Sequence, residues 1–282
     1  MNEQERRQCA NNLILAHHSC VPIDPVVQTY PDATVEDAYA IQTIQVATWT
    51  AGGQRIVGHK VGLSSAVLQA QMGVDQPDFG HLLSDTFHME NYPVSVDRFI
   101  LPQVEPQIAF VLGRRLAGPG VTVAEAIRAV DYVLPALEIV DSRLKVWNLT
   151  VVDTIADNAS SGGVILGSRP FLLRDVDLSR SCVELLLNGE SAASGLGSAV
   201  LGSPINALVW LANTLGRRGT VLDEGHVVLP GSATRASCVL PGDVVEARFS
   251  GMGSVRFLAA AAEPLRRPRV VSELVEFERP DF

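Results

Sequence analysis

The chain has 282 residues, 47% of them hydrophobic and 19% charged, which is enough apolar material for a sizeable core in one large domain or two small ones. Its formal net charge of −9 argues against nucleic acid as a partner, because no basic stripe is present to neutralise phosphates. Arg266, Arg267 and Arg269 form the densest basic cluster and Arg114-Arg115 a lesser one, and both read as solvated surface. The charged start Met1 to Arg7 leads into no signal-peptide apolar region, and no apolar run approaches the ~18 residues that a membrane span needs. Four well-separated cysteines (Cys9, Cys20, Cys182, Cys238) form no C-x-x-C pair, so neither a zinc site nor a disulfide framework is expected. A reducing cytoplasm is the simplest compartment.

Residues 3 to about 18 read as a helix ending near His17-His18, a solvated end where cationic histidine is tolerated. Neighbouring helical positions diverge by ~100°, so this pair is not expected to share a metal ion. Thr34, with Glu36 and Asp37 behind it, starts a second helix, which Gly52-Gly53 ends. Its apolar positions Ala38, Ile41, Ile44 and Trp49 recur at helical spacing. Residues 1–55 thus form a helical layer ahead of a β-rich body, 56–282, with no linker between them.

Arg55 to Leu63 is a short strand punctuated by glycines, with Lys60 set among Val57, Val61 and Leu63. A lysine in such a setting either snorkels to the surface or, if buried, loses pKa to desolvation, toward the range useful for proton transfer. Ser64-Ser65 opens an amphipathic helix to Met72, and Val74 to Leu82 follows as a tight loop. Val104 to Leu112 reads as a strand, so Glu105 and Gln107 share one face. After a capping-box helix from Thr122, the strand Pro135 to Asp141 offers a second acid, Glu138. Acids embedded in apolar strands are costly unless paired, hydrogen-bonded or bound to a metal. These oxygens are therefore expected to converge on a divalent cation, with the amide of Gln107 as the complication.

Asp153 to Gly163 is rich in small and polar residues that let backbone N–H groups approach a ligand, as at anion-binding sites, with a plain loop as the competing reading. Asn188-Gly189 is a hairpin turn, and Ser203-Pro204 starts a helix from Ile205 to Leu215 with Gly216 after its end. Three β-runs, at 226–229, 243–249 and 254–257, close the body. The Pro- and Arg-rich tail from Glu263 is expected to lie over the surface or to reach a neighbouring subunit.

Five blocks together, Gly58 to Ser64, Gly73 to Gly80, Pro135 to Arg143, Asp153 to Gly163 and Leu229 to Ser232, resemble the motif set of the 2-hydroxypenta-2,4-dienoate (2-oxopent-4-enoate) hydratases. They equally resemble the related 4-oxalocrotonate decarboxylases of the fumarylacetoacetate hydrolase superfamily. The resemblance implies an α+β fold with a mixed β-roll core and a Mg²⁺ or Mn²⁺ site. It places the metal at Glu105, Gln107 and Glu138, with Gln107 standing where the family has a third Glu. It puts Lys60 and Asp78 at the reacting end of the substrate, and Phe79 and Ser160 among the substrate-binding residues. The implied ligand is a small 2-oxo acid, and the implied assembly a homo-oligomer or a complex with another enzyme of the pathway. Hydratase and decarboxylase share these motifs. A metal-poor relative with dehydratase or cyclase activity and a non-catalytic partner subunit are the further alternatives that Gln107 leaves open.

Overall fold

The computed structural model describes residues 1–145 and 149–261. The tail from Glu263, the arginines within it, and Val146 and Trp147 lie outside the described residues. In chain order the helices are α1 (Glu3–Ser19), α2 (Val26–Thr29), α3 (Val35–Ala51), α4 (Ala66–Met72), α5 (Val123–Ala129), α6 (Val151–Ala156) and α7 (Pro204–Arg217). The strands are β1 (Ile56–Gly62), β2 (Asp78–Leu83), β3 (Phe87–Met89), β4 (Pro93–Ser95), β5 (Gln103–Leu112), β6 (Val130–Val140), β7 (Ser161–Leu166), β8 (Cys182–Leu187), β9 (Glu190–Leu196), β10 (Val227–Leu229), β11 (Ser237–Cys238), β12 (Val244–Phe249) and β13 (Gly253–Ala260). Capping boxes start four helices, at Asn2, Thr34, Thr122 and Thr150, each using an acid three residues on.

The strands form a mixed eight-stranded sheet, order β2-β1-β10-β5-β6-β7-β3 with β11 on β5, and a five-stranded sheet, order β4-β13-β12-β8-β9. Alternation along β5 and β6 gives the large sheet two unlike faces. Ile108, Phe110, Leu137 and Ile139 point into the main core, shared with the helices and the smaller sheet. Ala109, Val111, Leu134 and Ala136 point the other way, into a smaller apolar cluster with Leu82, Val164 and Leu229. By the same alternation Glu105, Gln107 and Glu138 belong to that second face, and the smaller cluster is the floor on which the polar site stands.

Several expectations change in the structure. Val74 to Leu82 is not one loop, because β2 begins at Asp78 and pairs along β1, with Gly62 opposite Asp78 and Lys60 opposite Gly80. Asp153 to Gly163 is not a loop either but helix α6, a tight turn and the start of β7. Gly216 lies inside α7 rather than after it, and it is there for space: a Cβ would come within 2.1 Å of the Gly118 backbone. By length and mean hydropathy (1.2) the stretch Gly197–Arg217 would pass for a membrane span. Within it α7 buries Ile205, Leu208, Leu211 and Leu215 against the core, as an amphipathic core helix does. His17 is not a solvated cation, since burial and then Arg143 push its pKa down to about 4, and its ring meets the Trp49 edge.

One ionic tie locks the helical layer. Asp37, 3% exposed, accepts hydrogen bonds from the Thr34 backbone N–H (2.9 Å) and hydroxyl (2.8 Å) and from Arg6 Nε (2.8 Å). Burial alone would raise its pKa, but these donors outweigh burial and hold the carboxyl well below the usual range. A carboxylate depressed in the folded state stabilises it above the unfolded pKa, about 4, and that contribution is lost as pH falls through the folded value. Asp37→Asn is therefore expected to lower urea-unfolding stability by about 1–3 kcal/mol at pH 7. The deficit against wild type should shrink as the pH is taken below about 4.

Candidate active site

Glu105 on β5 and Glu138 on β6 are direct cross-strand partners. Such partners hold their Cβ atoms about 4.5–5.5 Å apart, and like charges so placed repel. Glu138 is fully buried. Lys60 enters from β1, 5% exposed, with Nζ 3.1 Å from Glu138 Oε1 and donating to the Ala159 carbonyl at 2.9 Å. His59 beside it falls on the opposite sheet face, so the Gly58-His59-Lys60 block contributes only the lysine. Asp78 heads β2 on the same face as Lys60, and its Oδ2 accepts from the Thr154 hydroxyl at 3.0 Å. Gly62 opposite it leaves room for the carboxylate, since a Cβ there would lie 2.1 Å from Asp78 Oδ1.

Ser160 closes a turn in which Asn158, Ala159 and Ser160 all have φ near +51°, a left-handed run without glycine. Each such residue costs roughly 1–2 kcal/mol, so the turn must be held from outside. Arg143, 4% exposed, does much of this: its Nε meets Asp157 Oδ1 at 2.6 Å, and its other nitrogens donate to the carbonyls of Asp141, Asp157 and Ser161. Asn158 hydrogen-bonds both backbone groups of His81, and Gly80 lets the turn lie directly on β2. From α3, Gln42 donates to the carbonyls of Phe79 and Ile155, and Gln45 to that of Ala156.

Lys60, Asp78, Glu105 and Ser160 line one cavity of about 640 Å³, with Leu63, Met72, Val140 and Leu149 as apolar wall. A larger cavity, about 840 Å³ beside α3 and α7, holds none of the predicted residues. Two predicted residues sit differently. Phe79 alternates away from Asp78 into the main core, where its ring stacks on Tyr39 with centroids 4.6 Å apart. Gln107 is buried with its Oε1 accepting from the Gly231 N–H (2.8 Å) and its Nε2 donating to Glu138 Oε2. The amide oxygen that was to be a third metal ligand is thus already engaged, and what it turns toward Glu138 is a donor.

Charge in this cluster is poorly balanced. Burial, and then Glu138, push the Glu105 carboxyl up to about 7. Glu138 and Asp78 are raised too, first by burial, with Lys60 opposing. Burial would lower the Lys60 pKa as the sequence suggested, but Glu138, Glu105 and Asp78 outweigh it and the net shift is upward. Lys60 therefore rests as an ammonium. Glu138 Oε1 meets no donor at hydrogen-bonding angles despite its ion pair. An orphaned buried oxygen opposite a second repelled carboxylate suits a hard cation, and Mg²⁺ in particular is commonly held by one or two carboxylates with water and substrate completing the shell. Among the described residues no group of three or more His, Cys, Asp or Glu could share a metal. Glu105 and Glu138 fit as its two protein anchors, and Gln107 does not fit as a third.

The fumarylacetoacetate (FAA) hydrolase C-terminal family model matches residues 55–258, which takes in every residue of this cavity. The chain belongs to the fumarylacetoacetate hydrolase family. It is 46% identical, over 91% of its length and 95% of the relative's, to the 2-keto-4-pentenoate hydratase of Paraburkholderia xenovorans strain LB400. It is 39% identical, over 80% of its length and 87% of the relative's, to the 2-oxo-hept-4-ene-1,7-dioate hydratase of Escherichia coli. Among solved structures, the 4-oxalocrotonate decarboxylase of Pseudomonas putida G7, complexed with magnesium and adipate, superposes with a TM-score of 0.89 at 35% identity. That match covers 92% of this chain and 98% of the decarboxylase.

Within this family member, sequence reasoning did not single out Arg143, Asp157, Thr154 or Gly231, although all four stand in the motif blocks. The strand placement of Phe79 gives a direct check. Phe79→Ala is expected to cost about 3–5 kcal/mol in denaturant unfolding as a core truncation. A mutant of near wild-type stability with a selectively raised KM would instead return Phe79 to the substrate.

Proposed function

We infer that this chain is a lyase, a divalent-metal-dependent hydratase of a small unsaturated 2-oxo acid of the 2-hydroxypenta-2,4-dienoate type. The observation that carries this is the meeting of Lys60, Asp78, Glu105 and Ser160 in one cavity, with Glu138 paired to Lys60 beneath it. The identity to 2-keto-4-pentenoate hydratases over nearly the whole chain supports it.

Glu105 and Glu138 would hold Mg²⁺ or Mn²⁺, which when bound supplies charge stabilisation for the enolate of a 2-oxo acid. Ser160 and the backbone of its turn orient the substrate carboxylate. Hydration requires two proton movements. The 2-hydroxyl proton of the dienol must be delivered to C5, which leaves a 3,4-unsaturated ketone, and water must then add OH at C4 and H at C3. Lys60, resting as an ammonium between Glu138 and the Ala159 carbonyl, holds or releases a proton at the 2-oxygen. Asp78, with its raised pKa, carries the proton at the carbon end. The wall from Leu63, Met72, Val140 and Leu149 limits bulk water around these steps.

Purified protein with Mg²⁺ or Mn²⁺ is expected to consume 2-hydroxypenta-2,4-dienoate, followed by loss of its ultraviolet absorbance, and to yield 4-hydroxy-2-oxopentanoate. Release of CO₂ from 2-oxo-3-hexenedioate without hydration of the dienoate would make it a decarboxylase, and inertness toward both would remove the reading. Lys60→Met should reduce kcat by about 10²–10⁴. Because a cation must displace the proton from Glu105, metal affinity should weaken as pH falls below about 7. Gln107→Glu adds one charge to the site and should tighten Mn²⁺ binding by about tenfold or more in calorimetry; unchanged affinity would mean that position 107 does not reach the cation.

A further inference from the structure

Resting on the reading of this cavity as a metal-assisted 2-oxo-acid site, we propose that Gln107 is a positioning residue: it offers Glu138 to the cation through one oxygen, Oε1, and thereby makes cation binding wait for the acid. The amide is oriented by a donor that cannot change character. Gly231 N–H donates to Gln107 Oε1 at 2.8 Å. A backbone N–H only donates, so the end of the amide that faces it is the oxygen, and the NH₂ end faces Glu138. Turning the amide round would set N–H against N–H at Gly231 and oxygen against carboxylate at Glu138. Gly231 is held where it stands. It is buried, its φ is +104°, and a Cβ on it would lie 1.9 Å from Ser64 Oγ, so its backbone rests directly on the Ser64 side chain. Next to it, Ser232 Oγ donates to the Pro106 carbonyl at 3.1 Å. Gln107 itself is 2% exposed, so water does not take over either of its hydrogen bonds.

This tie divides the two oxygens of Glu138. Oε2 is taken by Gln107 Nε2, and Oε1 is left without a donor at hydrogen-bonding angles. A hydrogen bond to the far oxygen of a ligating carboxylate fixes the direction in which the near one points. Oε1 is not unopposed, however, because Lys60 Nζ stands 3.1 Å from it, and Lys60 belongs to the cavity lining. A cation arriving alone meets two carboxylates, one of them already paired with a lysine, and an amide in place of a third. A 2-oxo acid changes both sides of this balance. Its carboxylate and 2-oxygen bring two further oxygen ligands and one negative charge to the cation. They also give Lys60 another partner within the same cavity. Cation and acid therefore bind as a coupled pair, and each must tighten the other by the same factor. A glutamate at 107 could still accept from Gly231 with one oxygen, and its other oxygen and its charge would hold the cation without the acid.

The test is calorimetric titration of the full chain with Mn²⁺, without and with saturating 2-oxopentanoate, a five-carbon 2-oxo acid that has no double bond to hydrate. Wild type is expected to bind Mn²⁺ about tenfold or more tightly when the acid is present, and to bind the acid more tightly by the same factor when Mn²⁺ is present. In Gln107→Glu the two Mn²⁺ affinities should draw together, because the cation no longer needs the acid. Gln107→Met, close in shape but without the amide, should lose about 10–100-fold in Mn²⁺ affinity even with the acid, because Glu138 is no longer oriented. If Gln107→Met does not fold, wild type and Gln107→Glu decide the matter. Equal Mn²⁺ affinity in wild type with and without the acid, an acid effect in Gln107→Glu as large as in wild type, or unimpaired Mn²⁺ binding in Gln107→Met overturns the proposal. Turnover of 2-hydroxypenta-2,4-dienoate is followed on the same preparations. Coupled binding in a protein that leaves the dienoate untouched would uphold the proposal and remove the hydratase reading, whereas turnover without coupling would overturn the proposal alone.

Discussion

The structure turns on two carboxylates that face each other across adjacent strands. Glu105 and Glu138 occupy the same rung of the β5–β6 ladder, on a face whose floor is an apolar cluster. Burial is the first cause that lifts both carboxyls, and repulsion from Glu138 adds to it at Glu105. Lys60 relieves part of it, and in doing so gives up the lowered pKa that burial alone would produce. A divalent cation shared by the two acids would relieve the rest and would free the lysine to titrate nearer the range of proton transfer.

Around this pair the fold supplies support out of proportion to the number of reacting groups. The left-handed turn that presents Ser160 and the Ala159 carbonyl is unfavourable by itself. It is held by the buried Arg143–Asp157 pair on one side and by Asn158 on β2 on the other. Breaking such a buried pair costs several kcal/mol, because the surviving charge is stranded. Arg143 therefore acts on the site through the turn, as a positioning residue. Gln107 acts similarly: it ties Gly231, and with it the cavity rim, to Glu138.

Much of this was legible in the sequence. Period-two alternation alone placed Glu105 and Gln107 together, and the family motifs added Lys60, Asp78 and Ser160, all of which reach the cavity except Gln107, which lies beneath it. What escaped has identifiable physical causes. Phe79 was assigned to the substrate through the family resemblance, in a stretch read as a loop, whereas strand pairing with β1 sends it to the face opposite Asp78. The turn at 158–160 carries no glycine to announce positive φ. The direction of the Gln107 amide depends on Gly231, which only the packing of a segment far along the chain brings near. The direction of the Lys60 shift likewise required three acids from three different strands to be seen converging.

The central claim is that Glu105 and Glu138 jointly hold the cation against which a 2-oxo acid binds. Anomalous scattering from crystals soaked with Mn²⁺ and a saturated 2-oxo acid tests it most directly. A single strong peak between the two carboxylates, with the acid's oxygens completing its shell and its carboxylate toward Ser160, is the expected result. A peak bound elsewhere, or an ordered acid in the cavity with no manganese between Glu105 and Glu138, would contradict it.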